Sequence, residues 1–294
     1  MLGLELWKAR YRELLRVLRR RSIRLEVVPV LNMQQDTLFV EVPVAKLTRE
    51  GCFVLPDSVD AVWVDVGMSF HAPNATDWLR RNPKGLVVGF EPDYRMYLSY
   101  FAFSYLVDSP WIINGSMSAN EPALEERRRI LTERGLDPAD TPGHLPPNMF
   151  DRLIVFPAAV SETEGFAHLH HAKHHGSSSL DARWVRDANL DVFGERLEPE
   201  QRSVRTLPLS FVLERLPTNL DPLHHLKIDA EGLDGKVLLS AGDQLARFVM
   251  VTLEHPDDAW MAQQGFYPEK QQRGGRSYRN ERFPDVNVDY AIYV

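Results

Sequence analysis

AVWVDVGMSFHAPNATDWLRR, residues 61–81, decides how the rest of the chain is read. Val62, Trp63, Val64 and Val66 make a short β-branched and aromatic run around Asp65, closing on Gly67. An amphipathic stretch with Trp78 and Leu79 follows, so the predicted order is strand, tight turn, helix. LVVGFEPD at 86–93 echoes this: Leu86, Val87, Val88 and Phe90 form a second buried strand with Glu91 at its carboxyl edge. An acidic residue closing a second strand about 20 residues past a glycine-bearing turn is how a nucleoside-binding βαβ unit holds ribose hydroxyls. The predicted site lies at the carboxyl ends of these strands.

The 294 residues, 44% apolar, accommodate one large α/β domain over 59–294, with an insertion at about 110–150, preceded by an extension over 1–58. Within that extension Leu4, Trp7, Tyr11, Leu14, Leu15 and Leu18 recur at helical spacing, and alternating runs between 24 and 55 predict a β-hairpin. The net charge of −7 argues against a general nucleic-acid binder. Lys8, Arg10, Arg12, Arg16, Arg19, Arg20, Arg21 and Arg24 nevertheless face only Glu5 and Glu13. This basic helix reads as a cap with a solvated face, with an anionic membrane surface as its alternative partner. Cys52 stands alone, which excludes an intrachain disulfide and a thiolate zinc cage. The chain reads as cytoplasmic, with neither a secretory signal nor an integral membrane segment expected.

Tyr94 to Tyr105 predict a helix on the sheet, and Glu121 to Arg134 a charged helical segment. The proline-bearing excursion after it reads as a lid, a partner surface or decoration. Leu153–Phe156 is the next strand, followed by a hairpin turn at Glu162–Gly165 and an extended Phe166–His171. Further along, Leu207–Leu216 reads as a helix, His225–Asp229 as a buried strand, Leu233–Gly242 as the helix behind it and Phe248–Glu254 as another strand. Trp260–Gly265 belongs to a helix, and Asn287–Val294 alternates as a terminal strand.

VDVG at 64–67, GFEPD at 89–93, PAAVSETEG at 157–165 and LKIDAEGLDGKVLLSAG at 226–242 together resemble the FkbM family of S-adenosylmethionine-dependent methyltransferases. SSSL at 177–180 and Thr206-Leu207 add to the likeness. The resemblance implies a Rossmann-like, mostly parallel seven-stranded sheet with an antiparallel last strand, binding S-adenosylmethionine at its carboxyl edge. Carried over by position, Asp65 and Gly67 would line the methionine end of that cofactor and Glu91 would accept from the ribose, with Pro92 in the same turn and Asp93 near the adenosine. Ala159, Val160 and Ser161 would flank the adenine, and Asp229 and Glu231 would face the transferred methyl and the acceptor. Where the family's first turn usually continues with Asn and then a second Gly, this chain has Ser69 and His71. Ser69 offers a replacement hydrogen-bonding group; His71 is either a substrate-side group or a sign of a shifted pose.

Methyl transfer from a sulfonium asks mainly for orientation and, with a hydroxyl acceptor, for a base. Asp229 and Glu231 offer one, although Lys227 could instead tie Asp229 into a structural ion pair. His255 offers another, its alternative being a loop histidine bonded to a backbone carbonyl. His168, His170, His171, His174 and His175 could share a divalent metal, which is not predicted, or touch a polyhydroxyl acceptor together with Ser177–Ser179. The leading function is O-methylation of a small-molecule, sugar-containing or natural-product acceptor. A non-catalytic binding or scaffold protein is the first alternative. A nicotinamide-dependent oxidoreductase is the second, and it would want a three-glycine turn where DVGMSFHAPN has one glycine. The oligomeric state is open, with a homodimer among the options.

Overall fold

A computed structural model describes residues 23–31, 37–45, 48–49, 51–68, 72–93, 152–171, 178–188, 200–272 and 275–288. The helix expected at 3–20, the segments expected between 94 and 150, and Ser69, His71, His174, His175 and Ser177 lie outside the described residues. The expected hairpin is formed by β1 (Ile23–Leu31) and β2 (Thr37–Ala45), paired antiparallel from Ile23 opposite Ala45 to Leu31 opposite Thr37. Among the described residues no helix is long and apolar enough to cross a membrane.

Chain order then gives β3 (Ala61–Val66), α1 (Pro73–Arg81), β4 (Gly85–Phe90), β5 (Leu153–Phe156), β6 (Ala158–Val160), β7 (Gly165–His171), α2 (Ala182–Ala188) and β8 (Glu200–Leu207). After these come α3 (Leu209–Leu213), β9 (Leu223–Ile228), α4 (Asp234–Ala241), β10 (Phe248–Leu253), α5 (Asp258–Gln263), β11 (Phe266–Gln272) and β12 (Gly275–Asn280). A seven-stranded sheet has the order β11-β12-β10-β9-β3-β4-β5. β5, β4, β3, β9 and β10 are parallel, and β12 runs antiparallel to both its neighbours. This is the Rossmann-like α/β sheet anticipated from the sequence, with β3, β4 and β10 reading as near-continuous apolar runs because both faces are covered.

One face of the sheet carries Val62, Val64, Val66, Val88, Leu226, Ile228, Val251 and Leu253, which share a core with Leu209, Val212 and Leu213 of α3 and Val237, Leu238 and Ala241 of α4. Alternation sends Trp63, Asp65, His225 and Lys227 to the opposite face. There Trp63 meets Trp78 of α1 edge-on, with ring centroids 5.4 Å apart, and His225 at 4.8 Å. Gly85 lets α1 sit this close, since a Cβ there would meet Trp78 Cζ3 at 2.4 Å. Arg152, just before β5, donates to the carbonyls of Leu79, Asn82 and Gly85 and so satisfies the open C-terminal end of α1.

Two local expectations are corrected. The turn at 162–165 does not close a hairpin: β8 lies between β6 and β7, with Thr206 opposite both Ala159 and Gly165. Thr206 Oγ1 donates to Thr163 O, so the turn wraps the end of β8. The helix expected at 207–216 is shortened to α3, because Leu207 belongs to β8 and Pro208, with an extended backbone, separates them. β8 itself was not anticipated. β12 is the antiparallel strand of the seven-stranded sheet among those described; of the terminal strand expected at 287–294, Asn287 and Val288 lie outside any strand and residues 289–294 lie outside the described residues.

Candidate active site

Four loops leave the sheet at one level. Each begins with a backbone N–H that donates to the last carbonyl of the neighbouring strand: Glu91 to Phe156 at 3.0 Å, Gly67 to Phe90 at 3.1 Å, Asp229 to Val66 at 3.0 Å and Glu254 to Ile228 at 3.3 Å. The hydrogen-bond ladder thus runs one residue past the strands and lines up Glu91, Gly67, Asp229 and Glu254 along the carboxyl rim. This is where open parallel sheets place their ligands. Among the described residues, the two non-glycine positions with positive φ also belong to these loops: Ala72 at 43° and Glu231 at 50°. Backbone strain of this kind concentrates at functional sites.

At the centre of the rim stands the Lys227 ammonium, 3.3 Å from Asp65, 3.2 Å from Asp229 and donating to Gly67 O at 2.7 Å. Burial works against its charge, but the Asp229 and Asp65 carboxylates outweigh that and hold its pKa above the ordinary lysine value. Burial in turn raises the pKa of Asp65, opposed by Lys227. Asp65 is enclosed, with no exposed surface, and faces this cation. Gly67, at φ 76°, has a reason to be glycine in the chain itself: a Cβ there would lie 1.9 Å from Asp229 O.

Asp229, Glu231 and Glu254 converge beyond Lys227, each able to bring one carboxylate oxygen within 4.8 Å of the others. Among the described residues it is these three, rather than the histidines of β7, that gather as a cation's ligands would. Burial, then the charges of Asp229 and Asp234, lift Glu231 to about 7 against a bond from Trp184. Burial and the neighbouring Asp229 and Glu231 lift Glu254 to about 8. Trp184 Nε1 of α2 donates to Glu231 Oε2 at 2.8 Å, and Ser179 Oγ donates to Glu231 O at 2.9 Å. Asp234, buried at the start of α4, accepts from Ala230 N and His255 N, so one carboxylate pins the loops after both β9 and β10. His255 lies at the margin, its Nε2 3.3 Å from Glu254 and its ring edge-on to Trp184.

On the other flank Glu91 is buried, and its Oε1 accepts from Asp93 N at 2.9 Å. Pro92 between them is half-buried, and Asp93 turns its buried carboxylate to His171 Nδ1 at 3.2 Å. Ala159 and Val160 are buried in β6, and Ser161 N donates to Leu207 O. Gly67, Glu91, Asp229 and Glu231 therefore share the rim, while Asp65 lies beneath it. Trp184 and Asp234 were not singled out from the sequence, and Glu254 was placed with His255 on the functional edge without a role of its own. For Glu254 a signal existed, since it closes the same strand that drew attention to His255.

Folding raises the pKa of Glu254, so the folded state holds a proton that the unfolded chain releases above the ordinary carboxylate range. The associated stability is complete below that range and gone once pH passes about 8. Glu254→Gln, an isostere of the protonated acid, should match the wild-type melting temperature at pH 5. At pH 9 it should exceed it by about 2–4 °C, roughly 1 kcal/mol after allowance for solvent screening. Equal midpoints at both pH values, in thermal melts followed by circular dichroism, would contradict this.

Among protein-family models, residues 65–271 match the one described as the Methyltransferase FkbM domain, a span covering well over half of the chain. VDVG falls at the start of that span, and the other three pieces that carried the resemblance fall inside it. No curated protein and no solved structure matches the chain.

Proposed function

We propose, from the premise that the chain belongs to the FkbM methyltransferase family, that it methylates a hydroxyl of a small-molecule acceptor, sugar-containing or another natural product, using S-adenosylmethionine. The observation that carries this reading is the shared rim: a buried carboxylate, Glu91, stands beside Gly67 at one end, and the Asp229, Glu231 and Glu254 carboxylates stand at the other.

The residues fit the cofactor. Glu91 ends the second strand of the βαβ unit with an acceptor suited to a ribose diol, and Asp93 N holds one of its oxygens in place. Gly67 stands beside it at the end of the neighbouring strand, its N–H bonded to Phe90 O and its missing side chain making room for the carbonyl of Asp229. Ala159, Val160 and Ser161 follow β5 on the same side and would flank the adenine. When bound, the cofactor supplies an electrophilic methyl group on a sulfonium. What the chain adds is orientation and proton handling. Glu231, half ionised near neutral pH, is matched to taking the proton of an acceptor hydroxyl, and Asp229, fixed by Lys227, orients that hydroxyl.

Calorimetric titration of the full chain with S-adenosylmethionine tests the first half of the proposal. Absence of binding at millimolar ligand by folded protein would favour a scaffold. Mass spectrometry of candidate acceptors, seeking the gain of one methyl, tests the second half. Glu91→Ala should weaken cofactor binding by about 1.5–3 kcal/mol, the loss of a charge-assisted ribose contact. Unchanged affinity would remove Glu91 from the site.

A further inference from the structure

β7 ends with His171, whose backbone pairs with Glu200 of β8 in the small three-stranded sheet, outside the sheet that carries the rim. Its side chain nevertheless reaches the loop after β4: Nδ1 lies 3.2 Å from Asp93 Oδ2, and both side chains are almost wholly enclosed. Asp93 in turn gives its backbone N–H to Glu91 Oε1 at 2.9 Å, in a buried hydrogen bond. The three residues form a relay from the small sheet to the carboxylate assigned to the ribose. A glutamate has three side-chain torsions to fix, and a bond from the turn two residues on removes much of that freedom only if the turn is itself anchored. His171 supplies such an anchor, alongside the Glu91 N–H bond to Phe156 O, and with its proton on Nδ1 it donates to Asp93.

We propose that His171 is a positioning residue for cofactor binding: by holding Asp93 it fixes the Glu91-Pro92-Asp93 turn, and so the carboxylate that receives the ribose hydroxyls. This rests on the reading of Glu91 as the ribose ligand. It gives the histidines of β7 separate duties, because His168 on the same strand is exposed whereas His171 is buried against the rim.

The test is a double-mutant cycle on the full chain, with S-adenosylmethionine affinity measured by calorimetry. His171→Leu should weaken binding roughly tenfold through the loss of one link to a charged group. His171→Asn, which keeps a donor near the Nδ1 position, should stay within about threefold of wild type. In a Glu91→Ala background His171→Leu should change affinity by less than about twofold, since the two act through one contact. A merely structural histidine would instead show the same loss in both backgrounds, and that result overturns the proposal, as does His171→Leu binding like wild type. Should His171→Leu fail to fold, Asp93→Ala reads the same link: it keeps the backbone N–H to Glu91 and removes the oxygens that face the imidazole, and wild-type affinity there also overturns it. Failure of the wild-type chain to bind the cofactor sinks the underlying reading and this inference with it; normal wild-type binding with no coupling between His171 and Glu91 sinks this inference alone.

Discussion

Lys227→Met should lower the unfolding free energy by about 3–5 kcal/mol, the range found when one member of a buried ion pair is removed. The ammonium is the cation between Asp65 and Asp229, and it also donates to Gly67 O. Methionine fills a similar volume, so the loss comes from charge rather than from a cavity. Asp65, wholly enclosed, is left to ionise without a partner or to take a proton, and either course costs free energy. The carbonyl of Gly67 loses its donor at the same time, which loosens the turn after β3. Pairing the change with Asp65→Asn should recover a large part of the stability, because the uncompensated carboxylate is then gone. Urea denaturation of the two variants decides it: a loss below about 1 kcal/mol for Lys227→Met would show the triad to be incidental. In the proposed reaction the same cation, 3.2 Å from Asp229, would also set the direction of that carboxylate.

Much of this arrangement was legible because the central strands announce themselves. AVWVDV and GLVVGF are apolar on both faces, as parallel strands between helices must be, and the polar group closing each strand marks the rim. The carboxylates of the loop after β9 followed from the same logic. The outer strands were another matter. β8 reads EQRSVRTL, and β11 and β12 read FYPEKQQ and GRSYRN. Charged and amide side chains at so many positions erase the alternation by which a strand is recognised, and the pairing is settled by neighbours distant in sequence. Arg202 and Thr206 are buried in β8 all the same. Glu254 was given no role for a related reason: its importance comes from where the loops after β9 and β10 converge, and no local spacing encodes that distance. Gly67 was read as room for a ligand, whereas its tightest constraint is the backbone of Asp229.

Glu231→Gln should reduce methyl transfer by roughly 10²–10⁴-fold while leaving S-adenosylmethionine affinity within about twofold, the signature of losing a general base that does not contact the cofactor. The substitution is mild for the fold. A glutamine oxygen can still accept from Trp184 Nε1, and its amide can donate toward Asp229 or Glu254, where like charges now crowd. What it cannot do is take up a proton. In the wild type, activity should rise as pH climbs through about 7, because the carboxylate becomes a base only once ionised. The limb belongs to the interacting Glu231 and Glu254 carboxylates jointly, so its midpoint is a property of the pair. In Glu231→Gln that limb should flatten. Asp229→Asn supplies the contrast: it also releases Lys227, so it should impair turnover and stability together, whereas Glu231→Gln should impair turnover alone. If Glu231→Gln keeps near-wild-type turnover with an intact alkaline rise, the proton goes elsewhere on the rim. Glu254, with a pKa raised to about 8, is the next residue to replace.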